Sequence, residues 1–427
     1  MTQRVVITGM GAVTPVGIGK EEYWQNLLKG TSGVKPLVFP TMDMDQYRTK
    51  IAASLDSFDP SAFFPTNKNT KYQGRTSQVA MAAAKLALED GGFELAPGKK
   101  NTPIAGIDPD RIGVIMGTGS GNMDILEEGH GPFLEDRGPK RTSPHALPQQ
   151  IISAVPANIA MQFQCRGISY AIPTACSSAS QAIGNSFRHL KYDSWEDIVI
   201  TGGADCCITP LIFGCFTAMR AMSTRNDDPK KASRPFDRGR DGFVMGEGAG
   251  IIVLEKLDHA LKRNAPIYAE IVGFGMTLDA YHITIPNLGG EMFYRAIQMA
   301  LKEGGLRPEE VDYINAHGTA TRLNDPIETR AIKKAFGKRA YEIPISSTKS
   351  MIGHLIGAAG GVEAIASAMS INENRVHPTI NYEDPDPECD LDYVPNEMRE
   401  VSVRVAMSNS LGFGGFNSVV ILKQYEK

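Results

Sequence analysis

The sequence predicts an α/β fold, and three observations carry that prediction. Short β-branched runs at 5–8, 112–116, 198–201, 251–254, 311–315 and 419–422 read as buried strands. Between them, 78–89, 178–190, 293–303 and 361–371 repeat apolar residues at helical spacing; in the second, Ala179, Ile183, Phe187 and Leu190 fall on one face. The 43 glycines cluster where these elements end, which favours tight turns between strand and helix rather than a glycine repeat. Such alternation predicts largely parallel sheets.

With 427 residues the chain is long enough for two compact units or one large duplicated one. Two faint internal echoes suggest two similar halves, and chance recurrence of glycine-rich strand ends in an α/β fold accounts for them equally well. Gly246-Glu247-Gly248 leads into the strand at 251–254 as Gly412-Phe413-Gly414 leads into 417–420, and Val114-Ile115-Met116-Gly117 matches Ile314-Asn315-Ala316-His317. The halves would join near 257–266, giving an N-terminal half at 1–260 and a C-terminal half at 261–427. Stretches rich in turn formers at 97–109 and 382–395 read as surface loops.

Composition narrows the function. Lys and Arg total 44 against 48 Asp and Glu, a net charge of −4, so the basic excess of a nucleic-acid binder is missing. At 42% hydrophobic and 22% charged residues, the chain is too apolar for wholesale disorder. Charge, Gly or Pro interrupts every apolar run before membrane-spanning length, and the N-terminus lacks a secretory pattern. The six cysteines contain no C-x-x-C pair and fit a reducing cytoplasm. Gly9-Met10-Gly11 and Gly117-Thr118-Gly119-Ser120-Gly121 follow strands, but neither completes a dinucleotide or phosphate-loop pattern, and no zinc spacing occurs among the eight histidines.

Three segments carry chemistry. In Ile172-Pro173-Thr174-Ala175-Cys176-Ser177-Ser178, a cysteine stands where an extended segment turns into a helix of small residues. A helix start offers free N–H groups and positive potential, which lower a cysteine pKa. Asn315-Ala316-His317-Gly318-Thr319 follows a strand, and Lys349-Ser350-Met351-Ile352-Gly353-His354 precedes a Gly- and Ala-rich helix. Each histidine stands beside a glycine at an element end, where a side chain projects into a cavity rather than into core packing. A buried structural cysteine and two structural histidines would explain each segment singly; together they form a candidate nucleophile with two partners.

These segments, with Ser223-Thr224-Arg225-Asn226-Asp227, Arg234-Pro235-Phe236-Asp237 and Gly412-Phe413-Gly414-Gly415, resemble the β-ketoacyl-acyl-carrier-protein synthases of the thiolase-like condensing enzymes, nearest to the elongating type II synthases. The resemblance implies a duplicated five-layer αβαβα fold, a homodimer, and no organic cofactor. It makes Cys176 the acyl-accepting nucleophile, His317 and His354 the donors to the malonyl enolate, and Lys349 part of the catalytic set. The backbone N–H groups of Cys176 and Phe413 would form the oxyanion hole, with Phe413 also gating. Thr319, Thr321, Phe216, Ser120, Thr284 and Phe416 would contact substrate, with Glu328 and Asp279 in support. Lys68, Lys71 and Arg220, near Arg75 and Arg225, would dock an acidic acyl carrier protein. Asn315, Glu363, Ser408 and Asn409 match a buried monovalent-cation site of some relatives.

The sequence departs from the pattern at Ser177-Ser178, at Phe416 where threonine is usual, and at Ser120 where isoleucine is common. The implied reaction is decarboxylative condensation of acyl- with malonyl-carrier protein, elongating a fatty acyl chain by two carbons. A polyketide or polyene ketosynthase shares this chemistry. An inactive chain-length partner would lack the nucleophile, and a degradative thiolase would carry a second cysteine where Phe413 stands.

Overall fold

The computed structural model describes residues 2–64, 70–96, 98, 101–192 and 194–426. Its strands are β1 (Val5–Thr14), β2 (Ile112–Gly117), β3 (Ser169–Ile172), β4 (Ile198–Asp205), β5 (Gly248–Lys256), β6 (Ala269–Leu278), β7 (Tyr313–Asn315), β8 (Ile345–Ser346), β9 (Val405–Gly412) and β10 (Phe416–Lys423); the expected run at 311–315 shortens to β7, the other five expected runs lengthen, and β3, β6, β8 and β9 were not expected. The helices that matter here are α1 (Arg75–Asp90), α2 (Ala154–Phe163), α3 (Ser178–Lys191), α4 (Pro210–Met219), α5 (Glu291–Gly304), α6 (Asn324–Phe336) and α7 (Ala359–Glu373).

The strands run in the order β8-β7-β9-β10-β6-β1-β5-β4-β2-β3, with a short Gly17–Ile18 strand beside β1. This order contains one pattern twice. Counting strands within each half, β1-β5-β4-β2-β3 and β6-β10-β9-β7-β8 are the same topology, joined where Val5–Ile7 of β1 pairs with β6. Both sequence echoes fall on equivalent strands, β5 with β10 and β2 with β7. Helices α3 and α7 pack on each other between the two arrays; α1 and α2 cover the outside of the first array and α5 with α6 that of the second. This is the layered α/β architecture expected.

The expectation of largely parallel sheets is corrected. Only β4–β2, β2–β3, β7–β8 and β7–β9 pair in parallel, while β1, β5, β6 and β10 pair antiparallel on both sides. Strand–helix alternation implies crossovers, but β9 and β10 are joined by a tight turn with no helix. Gly414 and Gly415 take φ of 83° and 79° there, a region glycine enters at no steric cost, so the chain doubles straight back. The stretch at 382–395 is also corrected. It lacks helix or regular strand, yet Cys389, Leu391 and Tyr393 are buried in the second half's core. Acids of the same stretch are held by cations, Asp386 by Arg240, Asp390 by Lys333 and Asp392 by Arg399, so the loop's apolar residues turn inward.

Ala179, Ile183, Phe187 and Leu190 are all buried, as their spacing requires. A large apolar side chain so placed contributes about 1.5–3 kcal/mol relative to exposure. Close packing sets where α3 starts: a Cβ on Gly117, at the end of β2, would stand 2.3 Å from the backbone at Ser178 and Ala179. Gly117→Ala is therefore expected to lower the free energy of unfolding in urea by at least about 1–3 kcal/mol, the usual cost of overpacking; unchanged stability would show that β2 and α3 separate freely.

Candidate active site

Cys176 lies in a single helical turn, Ala175–Ser177, that leads into α3. Ala175 is forced to a positive φ of 50° just before it, and Ile356 takes the same value just before α7. Such strain in non-glycine residues persists only where surrounding structure over-determines the backbone. At Cys176 the constraint comes from the β9–β10 turn. A Cβ on Gly412 would meet the Thr174 carbonyl oxygen at 2.8 Å and the amide nitrogens of Cys176 and Ser177 at 3.2 Å. Only glycine lets the turn come this close, and the approach brings the Phe413 N–H to hydrogen-bond the sulfur alongside the N–H of Cys176 itself.

A cavity of about 500 Å³ opens over the sulfur, lined by Cys176, His317, His354, Phe216, Phe413, Thr284, Thr319 and Thr321, all of which the sequence had marked. Residues following β7 and β8 bring the two imidazoles together edge to face, with ring centroids 5.3 Å apart. Glu328, buried on α6, accepts the N–H groups of His317 and Gly318 at 2.8 Å each and the Asn409 side-chain N–H at 3.2 Å, fixing the His317 backbone. Burial nonetheless pushes the Glu328 carboxyl up to about 7. Lys349, 1% exposed, is ion-paired with Glu363, 0% exposed. Burial first, and the Lys349 cation second, hold both His317 and His354 well below the usual histidine range, so both rings are neutral at neutral pH. Nδ1 of His317 and both ring nitrogens of His354 have no hydrogen-bond partner among the described residues.

An aromatic relay links the turn to the second histidine. Phe413 stacks on Phe216 at 6.3 Å, Phe216 meets Phe243 edge-on at 5.6 Å, and Phe243 meets His354 edge-on at 5.6 Å. Thr319 and Thr321 share a hydroxyl hydrogen bond of 3.0 Å on the cavity wall. Asp279 pins the turn from outside: its backbone N–H donates to the Gly415 carbonyl, and its carboxylate accepts from Asn417 and from the Asn287 N–H.

Several expectations change. The helix start does not leave Cys176 with a low pKa; burial outweighs the two N–H groups and Lys349 and pushes the thiol up to about 11. Ser120 and Phe416 do not line the cavity. Ser120 sits on a loop tied by its N–H to Asp205, and Phe416 starts β10 beside Gly414. Lys68 lies outside the described residues, and of Lys71 only the backbone, in the turn Thr70–Tyr72, is described. Arg75 turns inward, toward Glu247 and the Leu55 carbonyl, and Arg225 toward Asp241. Arg220 does reach the cavity mouth, where it is joined by Arg48 and Arg322; all three are exposed and form no ion pair among the described residues.

The sequence reading missed Asp205, which is wholly buried at the end of β4. Its carboxylate accepts from Thr118, Gly119, Ser120 and Gly357, clasping the loop after β2 to the turn before α7. An acid closing the apolar run 198–204 was the available signal. Phe243 was also missed, and nothing local distinguishes it from a core phenylalanine.

A duplicated α/β scaffold that sets one buried thiol under two neutral imidazoles defines a class of thiol-dependent acyl-condensing proteins. Residues 2–260 match the Beta-ketoacyl synthase, N-terminal domain, and residues 268–383 the Beta-ketoacyl synthase, C-terminal domain; the chain belongs to the beta-ketoacyl synthase family. It is 46% identical over 424 residues to 3-oxoacyl-[acyl-carrier-protein] synthase 2 of Synechocystis sp. and 46% identical over 422 residues to the protein of that name from Coxiella burnetii, covering 99% of both chains in each case. Among solved structures, a beta-ketoacyl synthase from Burkholderia phymatum superposes with a TM-score of 0.89 at 36% identity, covering 99% of this chain and 100% of that one. A type II PKS acyl-carrier protein in complex with its ketosynthase bound to the hexaketide gives 0.89 at 33% identity, covering 100% of both.

The raised thiol pKa makes a kinetic prediction. In a Cys215→Ser background, which removes the exposed cysteine, iodoacetamide should alkylate Cys176 about tenfold faster per pH unit from pH 7 to 9, following the thiolate fraction. A plateau below pH 8 would instead mark a thiol already ionised near neutrality.

Proposed function

We propose that this chain is a β-ketoacyl-acyl-carrier-protein synthase, an acyltransferase that condenses an acyl-carrier thioester with malonyl-carrier protein and elongates fatty acyl chains by two carbons. The observation that carries the reading is the pair of buried, neutral imidazoles facing the Cys176 cavity. Identity of 46% to the 3-oxoacyl-[acyl-carrier-protein] synthase 2 of Synechocystis sp., against 33% to the type II PKS ketosynthase, favours the fatty acyl pathway. The presence of Cys176, His317 and His354 together speaks against an inactive partner subunit.

The geometry supports a two-stage mechanism. In the first stage the Cys176 sulfur attacks the acyl thioester; the carrier leaves as its thiol, taking the proton the cysteine gives up. The tetrahedral oxyanion lies against the N–H groups of Cys176 and Phe413, donors fixed by the Gly412 contact and needing no reorganisation. In the second stage the malonyl thioester loses CO₂, and negative charge develops on its thioester oxygen. Each neutral imidazole has one N–H to offer that oxygen. Neutrality matters, because an imidazolium would be acidic enough to quench the carbanion by protonation before it attacked the acyl group. Burial enforces that neutrality, and Lys349 adds to it without entering the cavity, since it does not line it. Carbon–carbon bond formation then expels the Cys176 thiolate and leaves the 3-oxoacyl product on the carrier.

Thr319, Thr321 and Thr284, which line the cavity, would meet the amides of a pantetheine arm. Arg48, Arg220 and Arg322 ring the mouth with uncompensated positive charge, which suits an acidic carrier on a chain that is otherwise net negative. Strand β3 is an outer edge of the sheet with Tyr170 exposed, and the segment leading to it exposes Leu126, Phe133, Leu134 and Leu147. An unprotected edge beside apolar surface supports pairing with a second copy, the expected homodimer. The repeated strand order supports the division at about residue 260. Among the described residues no helix is long and apolar enough to cross a membrane.

The expected cation site passes a chemical test. Asn315 Oδ1, Glu363 Oε2, Ser408 Oγ and Asn409 Oδ1 are all buried oxygens without a hydrogen-bond partner among the described residues. Asn315 and Ser408 are register partners on β7 and β9, and α7, which carries Glu363, packs on both strands. Hard oxygen donors with one carboxylate, already half-neutralised by Lys349, suit a monovalent ion. Such an ion would supply positive charge beside Glu363 and rigidity beneath the histidines.

Cys176→Ala should abolish condensation, whereas Cys206→Ala and Cys207→Ala should retain it. His317→Ala or His354→Ala should still accept the acyl group yet slow condensation by about 100-fold or more, the usual loss for one oxyanion donor. Wild-type condensation in either histidine variant, measured as 3-oxoacyl product, would overturn the assignment. Reversal of Arg48, Arg220 and Arg322 to Glu should raise KM for carrier-bound substrates, increasingly so at low salt, and spare short pantetheine thioesters; equal effects on both would remove these residues from docking.

A further inference from the structure

His377 is fully buried beside the cation-site oxygens, and neither the sequence motifs nor the condensation mechanism uses it. It follows the short strand Arg375–Val376 and packs edge-on against Trp24 and Tyr313, with centroid distances of 6.5 and 6.3 Å. Its Nδ1 lies 3.0 Å from the Pro378 carbonyl oxygen. A carbonyl can only accept, so Nδ1 carries the hydrogen and Nε2 is a bare lone pair. Three groups approach Nε2: the Tyr313 hydroxyl at 3.1 Å, the Asn315 side-chain nitrogen Nδ2 at 3.4 Å and the Ser346 hydroxyl at 3.4 Å, the last also 3.3 Å from Nδ1.

A lone pair attracts an N–H and repels an oxygen. The Asn315 amide is therefore locked in one of its two orientations, with Nδ2 toward the histidine. Its Oδ1 is committed to the opposite side, and it is one of the four unpartnered buried oxygens. Inverting the amide would set Oδ1 against the Nε2 lone pair. We propose that His377 is a positioning residue that fixes the Asn315 amide so that Oδ1 is presented to a monovalent alkali cation held with Glu363, Ser408 and Asn409. The proposal rests on the cation-site reading above and adds to it the group that orients one of the ligands, as partners behind a ligand shell commonly do.

The test is thermal unfolding of the full chain in potassium chloride against choline chloride at equal ionic strength, titrating potassium. The unmodified protein should gain stability with potassium, saturably, and Asn315→Ala should lose that gain. His377→Asn keeps a donor for the Pro378 carbonyl but cannot reach the Nε2 position. It should raise the potassium concentration for half-maximal stabilisation by about tenfold or more. His377→Gln, whose side-chain oxygen can take the Nε2 place, should lie close to the unmodified protein. If the unmodified protein shows no potassium-specific gain, the cation site fails and this inference with it. If Asn315→Ala abolishes the gain while His377→Asn leaves it intact, or if Gln and Asn weaken it equally, the cation site stands and the role of His377 is refuted. Should His377→Asn not fold, rubidium anomalous scattering in crystals of the unmodified protein decides: an ion in contact with Asn315 Oδ1 supports the proposal, and an ion away from Asn315, or none, overturns it.

Discussion

The buried ion pair between Lys349 and Glu363 is the interaction on which the rest of this site depends. Removing a lysine and a glutamate from water costs several kcal/mol per ion, repaid only with close pairing and satisfied neighbours. Hydrophobic residues of similar volume would serve stability as well, so packing alone does not account for the pair. Its electrostatic consequence does. A fixed cation beside two buried histidines adds to the burial that disfavours protonation of either ring, and rings kept neutral can donate hydrogen bonds without acting as strong acids. Glu363 holds the cation in place from α7, the helix whose packing against α3 joins the two halves, so the charge is built into the junction of the duplicated scaffold.

Duplication also explains why the two sides of the chemistry come from different parts of the chain. The thiol stands in the turn before α3 and His354 just ahead of the equivalent turn before α7; the two turns open on residues forced into the left-handed region, Ala175 and Ile356. Asp205 bridges the halves below them by accepting N–H groups from both the loop after β2 and Gly357 before α7. The β9–β10 turn closes the third side through Gly412. Burial raises the thiol pKa as it lowers those of the histidines; both are effects of one low-dielectric environment on groups of opposite charge type.

Much of this was legible in the sequence. Strands β1, β2, β4, β5, β7 and β10 and helices α1, α3, α5 and α7 followed from β-branched runs and apolar spacing, whereas β3, β6, β8, β9, α2, α4 and α6 did not; the echoes at 246–254 and 412–420 fall on strands that the repeated strand order makes equivalent. Cys176, His317 and His354 stood out because each occupies an element end beside small residues. Strand direction was not legible, since whether a glycine-rich turn reverses the chain depends on φ at Gly414 and Gly415 rather than on composition. Arg75 and Arg48 are alike as residues; that one pairs with Glu247 and the other faces the cavity mouth is a tertiary fact. The loop at 382–395 misled because its acids mask buried Cys389, Leu391 and Tyr393. The thiol pKa was misjudged because a helix start can be recognised locally, whereas burial cannot.

The most direct test of the account is peptide-resolved mass spectrometry of the unmodified protein after incubation with an acyl-carrier thioester and no malonyl donor. The acyl group should be found on Cys176 alone and should disappear, as 3-oxoacyl product accumulates, when malonyl-carrier protein is added. Product formation without an acyl group on Cys176, or an acyl group on Cys176 that malonyl-carrier protein never discharges, would contradict it.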